Sequence, residues 1–126
     1  MGYSLSNVTV TGFKSGIISS IPINIPRTLT ITGTSYEDVF KITIDASGID
    51  YLYFNTIIKT TAGTGSLKIL SDTTSLYEET GQASDTFLED TLDLTGINDI
   101  IEFKIRVKCS QNDDVYLTDF VMYPKE

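Results

Sequence analysis

Histidine is absent from this sequence of 126 residues, and so is tryptophan. Without histidine, neither a Ser-His-Asp triad nor a Cys-His pair can form. Zinc sites normally need several histidine or cysteine ligands, and the chain has one cysteine. A phosphate-binding glycine motif is also missing, because Gly63-Thr64-Gly65 lacks the Lys-Ser/Thr that would follow it. The sequence therefore predicts a protein that is not an enzyme.

The single cysteine, Cys109, cannot form an internal disulfide, so no disulfide framework is expected. The first residues contain neither the basic nor the apolar segment of a secretory signal peptide. No apolar run approaches the roughly 20 residues of a membrane-spanning helix. We therefore expect synthesis in the cytoplasm, no membrane partner, and a single domain over residues 1–126.

Positive charge is scarce, with nine Lys and Arg against 17 Asp and Glu and a net charge of −8. So acidic a chain repels nucleic acid, which is not expected as a partner. Three of the nine basic residues nevertheless alternate along one segment: Lys104, Arg106 and Lys108. This stripe predicts pairing with acids on a neighbouring strand, such as Glu89 and Asp90, or on a second subunit.

The sequence has no apolar stripe of helical period, and what recurs instead is alternation. From Ile101 to Cys109 the odd positions are apolar and the even positions charged, so the odd side chains should face a core. Strands at about ten-residue spacing, separated by turn residues, predict an all-β, antiparallel, jelly-roll-like sandwich of about 8–10 strands. The predicted strands are Tyr3–Thr11, Ile17–Ile25, Thr28–Gly33, Val39–Asp45, Tyr51–Thr60, Gly65–Leu70, Ser75–Thr80, Thr86–Leu94, Ile100–Cys109 and Val115–Tyr123.

Two of the predicted turns, which begin at Asp45 and Asp93, share the form D-x-[ST]-G-I. Asp and Ser/Thr side chains bind nearby backbone, and glycine adopts the left-handed conformation that closes such a turn. The pattern predicts one corner structure used twice. A further turn is predicted at Gly12–Gly16. The proline-rich segment 21–26 should lie at a sheet edge or bend, because proline cannot donate to a ladder.

Acidic residues offer two kinds of site. The adjacent pairs Glu78-Glu79, Glu89-Asp90 and Asp113-Asp114 have the chemistry of a general acid and base, but solvated surface acids are the simpler interpretation. Calcium is the one metal considered, because Asp113, Asp114 and Asp119 supply hard oxygen atoms. Their spacing is not that of a known calcium loop, and turn acids are the alternative. No other cofactor is expected.

The tyrosines provide the best candidate binding residues. If Leu52 and its alternate neighbours face the core, Tyr51, Tyr53 and Asn55 stand together on the outer surface. With Tyr116, such a patch is suited to stacking on a sugar ring or to anchoring a protein interface. The absence of tryptophan favours protein contact. Ordinary cross-strand packing is the alternative.

The last predicted strand contains an apolar-x-Asp-apolar pattern with Asp119 at its acidic position. Together with the preceding corner and alternating strand, residues 39–123 resemble the C-terminal half of jelly-roll sandwiches of the carbohydrate-binding-module type. Such modules often carry a structural calcium, which the resemblance extends to this chain as an expectation. Viral capsid, capsid-decoration and phage tail proteins use similar shapes, so the resemblance implies a fold and leaves the function open.

Two functions are consistent with these observations. The first is a non-enzymatic structural protein of a virus particle, a capsid-decoration or phage tail component. It would be made in the cytoplasm, homo-oligomeric or bound to capsid or tail proteins, and displayed on the virion surface. The absence of catalytic groups and the abundance of Thr, Ser, Ile and Tyr favour it. The alternative is a carbohydrate-binding module or adhesin domain that binds glycans, or a protein that remains cytoplasmic.

Overall fold

The computed structural model describes residues 5–10, 21–23, 31–97 and 99–125. These residues form ten β-strands and no helix, so none of them belongs to a helix long and apolar enough to cross a membrane. The strands are β1 Leu5–Val10, β2 Ile21–Ile23, β3 Ile31–Thr32, β4 Glu37–Asp45, β5 Tyr51–Thr60, β6 Gly65–Ser71, β7 Thr74–Gln82, β8 Thr86–Asp93, β9 Ile100–Cys109 and β10 Asp114–Lys125.

The strand predictions agree closely with these bounds, and β5 and β9 begin and end at the predicted residues. The predicted turn at Gly12–Gly16 and the outer parts of the first three predicted strands lie outside the described residues. Pro22 lies in β2, which is an edge strand of its sheet among the described strands, as predicted for a residue that cannot donate to a ladder.

The strands pair into two sheets. Sheet A has the order β1-β4-β9-β6-β7, and sheet B has the order β2-β10-β5-β8, with β3 also paired to β10. Pairing is antiparallel, except that β1 runs parallel to β4, which the sequence did not indicate. Between β4 and β10 every connection crosses from one sheet to the other except the β6–β7 hairpin. The predicted all-β sandwich is confirmed.

The core lies between the two sheets, and strand alternation determines which side chains enter it. In β9 the odd-numbered residues from Ile101 to Cys109 are buried and the even-numbered ones are partly exposed, which confirms the predicted parity. In β5 the even-numbered residues from Leu52 to Ile58 are buried in the same way. Phe54 of β5 meets Phe120 across 6.1 Å between ring centroids, so aromatic rings fill the centre of the core.

The two predicted corners have the same local structure. Asp45 accepts a hydrogen bond from the backbone N–H of Ser47 at 3.0 Å, and Asp93 accepts one from Thr95 at 2.9 Å. The glycine that follows each of them has a positive φ, 79° at Gly48 and 87° at position 96. One corner leads from β4 to β5 and the other from β8 to β9, so each carries the chain across the sandwich.

These hydrogen bonds stabilise the ionised carboxylates. The backbone N–H and the hydroxyl of Ser47 lower the pKa of Asp45 below its ordinary value. The hydroxyl and then the backbone N–H of Thr95 lower the pKa of Asp93 in the same way. The corners are therefore stabilised while their aspartates are ionised.

Candidate functional site

The tyrosines predicted to face outward lie on the outer surface of sheet B. There β5 runs between β10 and β8, so its outward side chains have neighbours on both sides. In the register, Tyr53 is opposite Tyr123 of β10. Asn55, the next outward residue of β5, is opposite Glu89 of β8. We call the surface formed by Tyr51, Tyr53, Asn55, Glu89 and Tyr123 the tyrosine face.

Two rings form the centre of the tyrosine face. The rings of Tyr53 and Tyr123 lie 5.0 Å apart between centroids and are tilted by 48°. The hydroxyl of Tyr53 donates a hydrogen bond to Glu89 Oε1 at 2.9 Å, and Asn55 Nδ2 donates to the Tyr53 oxygen at 3.3 Å. These contacts hold the Tyr53 side chain at its ring and at its hydroxyl, which reduces the conformational entropy that it would lose on binding a ligand.

Asn55 and Glu89 also influence the pKa of the Tyr53 hydroxyl. The hydrogen bond from Asn55 lowers the pKa of Tyr53, but desolvation and the hydrogen bond to the Glu89 carboxylate raise it, and the net change is upward. The phenol therefore stays protonated and keeps donating to Glu89 at neutral pH.

Two aromatic rings on this side of sheet B are well exposed, Tyr51 within the tyrosine face and Phe87 near it. Tyr51 is 43% exposed at the beginning of β5, and Phe87 is 53% exposed on β8, opposite Ile57. Large aromatic side chains exposed to this degree on one sheet face are typical of recognition surfaces.

Tyr116 does not belong to this surface. It was predicted as a third stacking residue, but it is buried, with a residue exposure of 8%. In the register it lies opposite Lys59 of β5. Tyr123 takes the place that the prediction gave to Tyr116. Tyr123 joins the tyrosine face because β10 pairs with β5. Alternation within a strand does not reveal which strands pair, so the sequence carried no signal for this residue.

The basic stripe of β9 faces outward from the other sheet, as predicted. The prediction that Glu89 and Asp90 are its acidic partners is wrong, because both residues lie on β8, which pairs with β5 in sheet B. The neighbours of β9 are β4 and β6. From β4, Asp38 Oδ1 accepts a hydrogen bond from Arg106 Nε at 2.7 Å.

The three aspartates considered for calcium do not form one site. Asp113 accepts a hydrogen bond from the hydroxyl of Thr61, which lowers its pKa, and Asp114 accepts one from Thr32 at 2.7 Å. Asp119 lies farther along β10, exposed, with φ of 53° at a bulge. Among the described residues no three acidic, cysteine or histidine groups are close enough to share a metal ion. Calcium binding stays a prediction of the sequence alone.

The remaining candidate residues agree with the simpler interpretations. The three adjacent carboxylate pairs are partly or fully exposed, as expected for surface acids. Cys109 is buried in the core, and its Sγ lies 3.2 Å from the carbonyl oxygen of Ala62. Such a thiol behaves as a small apolar side chain.

Comparison with known proteins identifies the fold. No protein-family model matches the sequence, and no curated protein matches it. The insecticidal delta-endotoxin Cry8Ea1 from Bacillus thuringiensis is 13% identical, with a TM-score of 0.55 over 94% of this chain and 26% of the toxin. The CBM51-2 and INT domains of ZmpB from Clostridium perfringens are 12% identical, with a TM-score of 0.50 over 88% of this chain and 29% of theirs.

At these identities the likeness shows a shared β-sandwich fold and nothing more. The chain spans less than a third of the length of either structure. Both neighbours are β-rich domains, which supports the sandwich part of the predicted resemblance. They give no support to its virion-protein part.

Proposed function

We propose that the protein is a non-enzymatic carbohydrate-binding domain that takes a sugar on its tyrosine face. The paired rings of Tyr53 and Tyr123, held beside Asn55 and Glu89, carry this proposal. The apolar C–H face of a sugar packs on aromatic rings, while its hydroxyls need donors and acceptors at the edge of the ring. The tyrosine face offers both kinds of group side by side.

Asn55 and Glu89 each retain a hydrogen-bond acceptor that a ligand can use. Asn55 uses one N–H in its bond to Tyr53, which leaves its carbonyl oxygen as an acceptor. Glu89 accepts from Tyr53 through Oε1, and its Oε2 remains available to a sugar hydroxyl. The register places these two residues directly opposite each other on β5 and β8, so both contact one ligand.

Two further observations support a binding role. The sandwich is shared with a structure that contains a CBM51 domain, whose name is that of a carbohydrate-binding module. In addition, every carboxylate among the described residues is partly or fully exposed. Glycoside hydrolysis needs a carboxyl group with a raised pKa, which usually requires burial, so binding without bond cleavage is favoured.

Binding to an array of neutral glycans tests this proposal. We expect retention of at least one glycan and a loss of about tenfold or more in affinity for Tyr53→Ala and Tyr123→Ala, because each removes a stacking ring. Tyr53→Phe keeps the ring and should lose less. Tyr36→Ala, on the outer face of sheet A, is the matched control and should bind as the original protein does. An array that retains no protein at high concentration would reject the proposal.

A structural role on a virus particle is the second candidate. One observation favours it: Tyr51 and Phe87 are more exposed than is usual for aromatic residues, as at sites of protein contact. In this case the tyrosine face would contact a capsid or tail protein or a second copy of the chain. The mass of the protein in solution separates this candidate from a monomeric sugar-binding domain.

A further inference from the structure

The outer face of sheet A concentrates the positive charge of an acidic protein. Five of the nine basic residues of the chain point outward from its three central strands. They are Lys41 of β4, Lys68 of β6, and Lys104, Arg106 and Lys108 of β9. We call this group the lysine face. The chain as a whole has a net charge of −8, so the fold gathers more than half of its basic residues on one surface.

The strand register makes the segregation sharper by placing like charges opposite each other. Lys41 is directly opposite Lys104 between β4 and β9. Lys68 is directly opposite Arg106 between β6 and β9. Side chains in such positions share one face and lie close together, so two like charges there destabilise the sheet. The Lys68–Arg106 pair has acids beside it, because Glu78 of β7 is opposite Lys68 and Asp38 of β4 is opposite Arg106. Neither Lys41 nor Lys104 has an acidic residue directly opposite it among the described strands.

The protein's own groups neutralise only part of the lysine face. Arg106 is paired with Asp38. The Nζ atoms of Lys108 and Lys68 lie 4.6 and 5.5 Å from the centroid of the Tyr36 ring. The Tyr36 hydroxyl in turn donates to Glu78 Oε2 at 2.9 Å, so this ring is fixed across β9 and β6.

Lys41 and Lys104, at one end of the lysine face, are different. Within the residues that the structure describes, neither ammonium group lies within 4.0 Å of a carboxylate. Each has partial exposure to solvent. Two adjacent ammonium groups without a counterion form a site that one anionic group can bridge.

The shape of the lysine face selects the kind of anion. Successive outward residues on β9 are about 6.8 Å apart, and neighbouring strands are about 4.8 Å apart. The charges thus form an elongated array that follows β9 for three outward positions. Four of the five groups are lysines, which act as point charges without the fork geometry of arginine. Duplex nucleic acid carries one charge per about 1.7 Å of its axis, which is much denser than this row of cations.

We propose that the lysine face binds a linear acidic polysaccharide, whose carboxylate or sulfate groups lie along β9 and bridge Lys41 and Lys104. Such a ligand has separated charges on a narrow chain, which matches a row of spaced cations better than a dense duplex does. This inference does not depend on the proposed function of the tyrosine face, because the two faces lie on opposite sides of the sandwich.

Titration with polygalacturonate and with dextran sulfate, with uncharged dextran as the negative probe, tests this proposal. We expect the intact protein to bind at least one of the two polyanions despite its net negative charge, and to bind more weakly as salt is added. The double variant Lys41→Gln/Lys104→Gln should lose about tenfold or more in affinity. Lys59→Glu makes the same change in net charge on sheet B and should bind almost as well as the original protein.

Thermal unfolding provides a second readout, because removal of two repelling charges should leave the double variant at least as stable as the original. A stable double variant that has lost binding supports the proposal. Absence of binding to either polyanion at low salt overturns it, and so does an equal loss in Lys59→Glu. Tighter binding to a single-stranded oligonucleotide, or low-salt self-association that the double variant abolishes, would assign the lysine face to a different partner.

Discussion

Asp93 illustrates how single residues determine the backbone of this protein. Its carboxylate accepts a hydrogen bond from Thr95, and the pKa of Asp93 is lowered by that contact. A carboxyl group whose pKa is lower in the folded than in the unfolded chain stabilises the fold above the unfolded value, near 4. This contribution is lost as the pH falls through the folded pKa. Asp45 makes the equivalent contribution at the other corner.

Substitutions at Asp93 distinguish the contribution of its hydrogen bond to stability from the contribution of its negative charge. Asp93→Asn keeps an acceptor oxygen, whereas Asp93→Ala removes it. We expect the melting temperature to fall by a few degrees in Asp93→Ala and by less in Asp93→Asn at neutral pH. Thermal unfolding from pH 7 to pH 2 should show the difference between Asp93→Asn and the original protein disappear below the folded pKa of Asp93.

Asp119→Asn removes the same charge from an exposed bulge and is the control for net charge. If it changes the pH dependence as much as Asp93→Asn does, the local hydrogen bond is not responsible.

At the scale of elements, β9 shows what alternation determines. Phe103 is fully buried and the residue before it, Glu102, points to the opposite face. We expect Phe103→Ala to lower the free energy of unfolding by about 3–5 kcal/mol, since it empties the centre of the core. Glu102→Ala should change it by about 0.5 kcal/mol or less. Chemical denaturation measures both, and similar losses would contradict the assigned parity.

Alternation predicts which side chains enter the core, but not which strands are neighbours. The bounds and the buried face of β5 and β9 follow from their own residues, and so do the two corners. The pairing of β8 with β5 and of β10 with β5 joins distant parts of the chain. That is why Glu89 was assigned to the wrong sheet, Tyr123 was missed and Tyr116 was expected at the surface. The parallel pairing of β1 was missed for the same reason.

At the scale of the whole molecule, the two outer faces differ in chemistry. The tyrosine face offers aromatic rings beside Glu89, and the lysine face offers uncompensated ammonium groups. The residues of each face can be recognised in the sequence only in part, because each face combines side chains from three strands. Lys41 and Lys68 join the predicted stripe of β9 only through the register of sheet A.

Light scattering measures the mass of the protein in solution, and this mass distinguishes the two proposed functions. For a carbohydrate-binding domain we expect the mass of one chain, 13.9 kDa, at all accessible concentrations. For a structural protein of a virus particle we expect a closed oligomer that Phe87→Asp converts to monomers, because a charge at an exposed aromatic contact opposes association. Lys59→Asp, on the same sheet but outside the exposed aromatics, is the control. A stable oligomer would count against a lone sugar-binding domain.

Strand β10 follows all the other strands in the chain, yet it lies inside sheet B between β2 and β5. During synthesis, β5 therefore has no partner on that side until the ribosome has released β10. The backbone N–H and C=O groups along that edge of β5 stay unpaired for the same interval. Nascent chains with such exposed strands are prone to aggregate, so chaperone binding to this protein should be strongest just before β10 emerges.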